Sequence, residues 1–201
     1  MDSRKKVIAI AIAAALSAPA FAQTSTQQDE AKDSAQDARQ QQRIEQGLKS
    51  GALTDEEAAR LEKDENRVQK MESRADRNGK VSSAEQKRID EAQQKVSKDI
   101  YAQKHDAQTG DPNSATSKRL EADVARDANQ EKRIEQGVKS GELTTKEAGK
   151  LERDAASNER AEAKAAASGN VSAEEQRRIA RAETRQSKRI HKEKSNDKTA
   201  Q

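Results

Sequence analysis

The sequence predicts an all-α protein made of two tandem copies of a three-helix repeat. Three observations lead there. A shift of 90 residues lays Asp33–Ile100 over Asp123–Ile190 without a gap, and 33 of the 68 positions are identical. Four places carry Ser or Thr followed three residues later by Glu: Thr54 and Glu57, Ser82 and Glu85, Thr144 and Glu147, Ser172 and Glu175. Between these places apolar residues recur at spacings of three, four and seven, as in Ala58, Leu61, Val68 and Ala75. That is the period of an amphipathic helix.

Each Ser/Thr-x-x-Glu is a capping box, in which two side chains satisfy orphan amides at a helix start. A glycine stands three residues before each: Gly51, Gly79, Gly141 and Gly169. Glycine accepts the left-handed backbone that ends a helix. The junctions predict helices near 33–49, 55–77 and 83–104, then near 119–139, 145–167 and 173–194. The repeats are thus expected at 33–105 and 119–194, joined by a linker at 106–118 that contains Gly110-Asp111-Pro112-Asn113. Residues 23–32 and 195–201 hold no large apolar residue and are expected to be disordered. The apolar stripes are narrow, with about one large residue per turn, as in a helical bundle or coiled coil. They call for further apolar partners in the sister repeat, a second chain or a client. The second copy has Asn158, Ala161 and Gln186 where the first has Val68, Met71 and Val96.

Residues 1–22 have the three zones of a secretory signal peptide. Arg4, Lys5 and Lys6 precede an apolar run from Val7 to Leu16, and Ala20 and Ala22 suit cleavage after Ala22. The expected location is the periplasm. Ten apolar residues are too few to span a bilayer, which takes about 20. Without this segment the balance is 36 basic against 35 acidic residues. A near-neutral chain exerts little pull on nucleic acid or anionic lipid. With no cysteine, no disulfide can staple the fold.

The block RIEQGLKSGALT from Arg43 is followed by G-x-V-S-x-x-E and then by Ile100-Tyr101 and Lys104-His105-Asp106. This pattern resembles a group of small exported proteobacterial proteins. The resemblance covers Arg43–Asp106. The second copy keeps RIEQGVKSGELT but ends in Ile190-His191. It implies a Gram-negative periplasm and a helical fold, and carries no reaction with it. Leu53-Thr54 and Leu143-Thr144 are similar to the LTxxQ motif of periplasmic stress chaperones, with Glu57 and Glu147 in place of its glutamine.

Arg74–Glu85 resembles an EF-hand loop, with Asp76, Asn78, Ser82 and Glu85 at ligand places, but Arg74 puts a cation where the first carboxylate belongs. His105 and His191 are not equivalent in the repeats and make no zinc or copper spacing. Asp and Glu are so abundant that carboxylate pairs carry no information, and few large apolar residues exist to wall off a catalytic pocket. Neither an enzyme nor a cofactor is expected. Tyr101 is the one aromatic residue after the signal segment, too little for base or sugar stacking. Arg177–Lys198, with nine basic and three acidic residues, reads as a solvated helix and tail or as a contact to an anionic envelope surface. The sequence therefore points to a non-catalytic exported helical repeat protein. It would act through an unidentified protein partner or self-association, with divalent-metal binding at the 74–85 loop as the alternative.

Overall fold

The structure, a computed structural model, describes residues 25–167 and 172–196. The signal segment, Gly169 and residues 197–201 lie outside the described residues. The described residues form six α-helices and no strand. They are α1 (Ser25–Ser50), α2 (Asp55–Ala75), α3 (Ser83–Lys104), α4 (Ala115–Ser140), α5 (Thr145–Ala166) and α6 (Ala173–Lys194), with a 3-10 turn at Asp76–Asn78.

Local chemistry accounts for the helix starts. Thr54, Ser82, Thr144 and Ser172 each accept from the backbone of the glutamate three residues on, and each glutamate side chain accepts in return from the cap backbone. Gly51 and Gly141 have φ of 73° and 76°, the left-handed backbone their junctions need. A second pair of glycines lies inside α1 and α4. A Cβ on Gly47 would stand 2.5 Å from the side chain of Leu53, and one on Gly137 2.6 Å from that of Leu143. These positions give up helix propensity, about 1 kcal/mol relative to alanine. In exchange the junction leucines fold back as fully buried plugs.

Two helix boundaries differ from the sequence expectation. α1 starts at Ser25 rather than near 33, because Gln27, Glu30 and Ala31 are buried. The segment 23–32 was expected to be disordered for want of large apolar residues, but from Ser25 on it is helical, and its inward side chains are Gln27, Glu30 and Ala31. α4 starts at Ala115 under a Ser114 cap, so the linker ends sooner than 118. The linker folds back on the first junction, where Gly110 N donates to the Gly51 carbonyl at 2.9 Å.

The two copies pack face to face. The most extensive interfaces join α1 to α4 and α2 to α5, while α3 lies on α1 and α2, and α6 on α4 and α5. Ser73 meets Arg153 and Gln69 meets Glu159, so α2 and α5 run antiparallel. Matching bonds recur 90 residues apart. Arg43 donates to the Ser97 hydroxyl and carbonyl at 2.7 and 3.0 Å, and Arg133 does the same to Ser187. The apolar core is split between the ends of the bundle. Ile44, Leu48, Leu53, Leu61 and Ile100 cluster with Leu120 and Val124 of the second copy. Ile134, Val138, Leu143, Leu151 and Ile190 cluster with Ala31 of the first. The narrow stripes thus find their partners in the sister repeat. Where Val68 and Val96 belong to the first cluster, their equivalents Asn158 and Gln186 share a buried side-chain hydrogen bond.

Because each apolar cluster borrows residues from the other copy, neither half should be stable alone as a monomer. Residues 23–110 and 111–201, made separately, should melt without cooperativity and regain the whole-chain transition when mixed at equal concentration. Circular dichroism checks this. A folded monomer of residues 23–110 with the whole chain's melting temperature would contradict the shared core.

Candidate metal centre

Between the two apolar ends the bundle interior is acidic. Sixteen Asp and Glu side chains are buried among the described residues, and no Lys, Arg or His is. Two of the sixteen, Glu57 and Glu147, are capping residues. The other fourteen come from α1, α2, α4, α5 and α6 and from Asp76 in the 3-10 turn. On α2, Glu62, Glu65 and Glu72 share the inward stripe with Leu61 and Val68; on α5, Glu152, Glu159 and Glu162 share it with Leu151. The same three-and-four spacing that buries the leucines therefore buries the carboxylates.

Three groups have oxygens close enough to share an ion. Asp37, Glu131 and Glu152 form one; Glu62, Asp127 and Glu159 form the second; Asp127, Glu162 and Glu183 form the third, each with ligand atoms within 4.8 Å of one another. Asp127 belongs to two groups, in the manner of a carboxylate bridging two ions. Glutamine amides fill the spaces between. Gln41 Nε2 donates to Glu62 and Glu159 at 3.2 and 3.0 Å, and Gln69 Nε2 to Glu159 at 2.5 Å. The Oε1 atoms of both glutamines are buried without a hydrogen-bond partner, as are both oxygens of Asp127, Glu162 and Glu65. An orphaned buried acceptor of this kind needs a proton, an ordered water or a cation.

The repeat explains the layout. Asp37, Glu62 and Glu72 correspond to Asp127, Glu152 and Glu162, whereas Gln41, Gln69 and Gln93 correspond to Glu131, Glu159 and Glu183. Gln93 Nε2 donates to Asp37 at 3.2 Å and to Glu72 at 2.9 Å. A neutral amide donor thus bridges two carboxylates in the first copy. In the second, Glu183 adds a third carboxylate to Asp127 and Glu162. Glu183 and Asp123 also pair with Arg126, which is half-buried at the flank.

No family model, curated protein or solved structure matches this chain.

The loop residues singled out in the sequence do not converge. Asp76 is buried and turns into the bundle toward Glu30, where it sits against Gly149; a Cβ there would lie 2.6 Å from that of Asp76. Asn78 accepts from Lys80 N at 2.9 Å, and Ser82 and Glu85 are committed to an exposed capping box. Hydrogen bonds from Ser82 hold Glu85 below the usual carboxylate range. The acids that do converge were not singled out. Their signal was present in Glu62, Glu65, Gln69 and Glu72, which follow the apolar period and not its complement.

Burial dominates the electrostatics. It pushes Asp76 and Asp123 up to about 6, Asp33, Asp37 and Glu183 to about 7, and Glu62 to about 8. Glu159 and Glu162 are pushed well above the carboxylate range, by burial first and then by neighbouring carboxylates. An unneutralised buried ion costs several kcal/mol, and a domain's whole stability is about 5–15 kcal/mol. Arg126 pairs two of the fourteen, and the other twelve cannot persist as unneutralised ions.

Without multivalent cations, protons must do the neutralising. The folded state then binds more protons than the unfolded chain, whose carboxylates titrate near 4. Stability contributed by these groups is full below that range and is lost as pH rises through 6 to 8. In chelator the melting temperature should therefore be higher at about pH 5 than at about pH 8. A flat or rising profile over that interval would contradict the burial of these acids.

Proposed function

We propose that this is an exported, non-catalytic periplasmic protein that holds hard multivalent cations inside its helical bundle, with calcium the best-fitting class. The carrying observation is the convergence of Glu62, Asp127, Glu159, Glu162 and Glu183 on two groups that share Asp127. The donors are carboxylates and glutamine carbonyls. An all-oxygen set suits calcium, magnesium or manganese and disfavours zinc or copper. Calcium takes six to eight oxygens in flexible geometry, which carboxylates that can bind through both oxygens supply. The groups are 0–3% exposed, which admits an ion more readily than an organic substrate and supports a binding role over a catalytic one. The cleavable signal at residues 1–22 supports the periplasm, a compartment open to external divalent ions. A protein–protein interaction or structural role was the first reading of the sequence; of the partners it left open for the apolar stripes, the sister repeat is the one whose residues join both clusters.

At a calcium concentration about 100 times the dissociation constant, binding adds about 2.7 kcal/mol per site. For a chain of this size that corresponds to a rise of roughly 5–10 °C in melting temperature. Asp127→Asn should remove at least half of that rise. Glu85→Gln should leave it intact and cost at most about 1 kcal/mol of stability through the cap. Calorimetric titration and melting with calcium, magnesium and manganese check both. No heat and no shift with any of the three would contradict the reading, and loss of the shift in Glu85→Gln alone would return the site to the 74–85 loop.

A further inference from the structure

The near-neutral composition conceals a strongly basic exterior. The described residues hold 35 Lys and Arg and 34 Asp and Glu. Fourteen of the acids are inside the bundle, which leaves 20 to face the 35 cations. Protons or metal ions must neutralise the interior, and either leaves the outside with a large positive excess.

One large share of that excess lies along the outer seam of α2 and α5, and another along α6. A groove of about 790 Å³ lies there. Arg60, Lys63, Arg67 and Lys70 form one wall, Arg160 and Lys164 stand on the other, and Ala59 and Ala163 lie between. The basic stripe continues beyond the groove through Arg74 on α2 and Arg77 in the 3-10 turn, and through Lys146, Lys150 and Arg153 on α5. The acidic neighbours are few. Glu56 lines the groove at one end and lies 3.8 Å from Arg60, and Asp64 pairs with Arg67 on the flank. The arrangement follows from the same helical period as the interior. On α2 and α5 the acids occupy the inward stripe and the cations the outward one.

We propose that the α2–α5 seam binds a linear phosphate polyanion along the groove. The walls repeat a cation every three or four residues, about every 5 Å along the helix, so a chain of phosphates can be matched at successive steps. Small alanines floor the trough and leave room for a chain between the walls. The one exposed large hydrophobic residue among those described is Tyr101, on α3, away from the seam. The seam therefore offers no aromatic side chain to stack on bases and no large apolar one to insert into a bilayer, and recognition is by phosphate charge. This reading needs a neutralised interior but not a metal ion.

The test titrates the full-length secreted chain with inorganic polyphosphate of defined length, in chelator at about pH 6, where failure of the calcium reading leaves it untouched. Six engaged cations give a log–log salt slope of about −4, so affinity should fall on the order of 100-fold between 50 and 200 mM salt. The triple variant Arg60→Glu, Arg67→Glu, Lys164→Glu should bind at least 10-fold more weakly with unchanged helical circular dichroism. The charge-matched control Arg177→Glu, Arg181→Glu, Lys188→Glu on α6 should lose less than 3-fold. Equal loss in both variants would mean general charge and no groove, and would overturn the proposal. Anionic phospholipid vesicles or single-stranded DNA bound more tightly than polyphosphate would overturn the occupant. No binding at 50 mM salt would overturn both.

Discussion

The structure turns on the need to neutralise fourteen carboxylates enclosed by helices. Apolar burial stabilises a side chain by roughly 1.5–3 kcal/mol, while an unpaired buried ion costs several. With most of the large buried apolar residues in two end clusters, the acidic middle decides whether the bundle is stable at a given pH. The amides of Gln41, Gln69 and Gln93 supply a few donors but cannot reach every acceptor. The remainder is left to protons or to ions. Stability, pH response and ligand binding are thus one property of this interior and not three.

The tandem copies show how such an interior is tuned. Both keep the Asp37, Glu62 and Glu72 positions, as Asp127, Glu152 and Glu162. They differ in side chains of nearly equal size and opposite hydrogen-bonding character. Glutamine in the first copy donates where glutamate in the second can only accept unless protonated. The first copy therefore satisfies part of its own acids, and the second concentrates negative charge around Asp127. The change from Val68 and Val96 to Asn158 and Gln186 has the same direction, since a hydrogen bond there replaces an apolar contact. Elsewhere the exchange runs the other way, since the buried Glu65, Asn66 and Ser73 of the first copy correspond to the buried Ala155, Ala156 and Ala163 of the second.

Much of the architecture was legible in the sequence because it rests on local chemistry. The boxes at Thr54, Ser82, Thr144 and Ser172 and the turns at Gly51 and Gly141 are set by neighbours within a few residues. The interior was not legible, for a related reason. A glutamate on a helix is ordinarily a solvated residue, and the one local sign that sets Glu62 apart from Glu56 is its place on the apolar period. Only the packing of α2 on α5 turns that sign into burial. Composition misled in the same way. Near-equal numbers of acids and bases argued against anionic partners, but the balance holds for the chain and not for its surface. The residues ahead of 33 were misjudged because Gln27, Glu30 and Ala31 are inward without being large and apolar.

The central claim is that cations displace protons from the buried acids. It is tested most directly by counting protons. The chain from residue 23 to 201, held at about pH 6 in a pH-stat without buffer, is titrated with calcium while bound calcium is measured in parallel. Neutral acids must ionise to bind a divalent ion, so saturable uptake should release more than one proton per calcium. Asp127→Asn should reduce both uptake and release. Calcium taken up with no proton release would place the ions on the exposed carboxylates. No uptake at all would leave protons as the sole neutralising species and contradict the cation account.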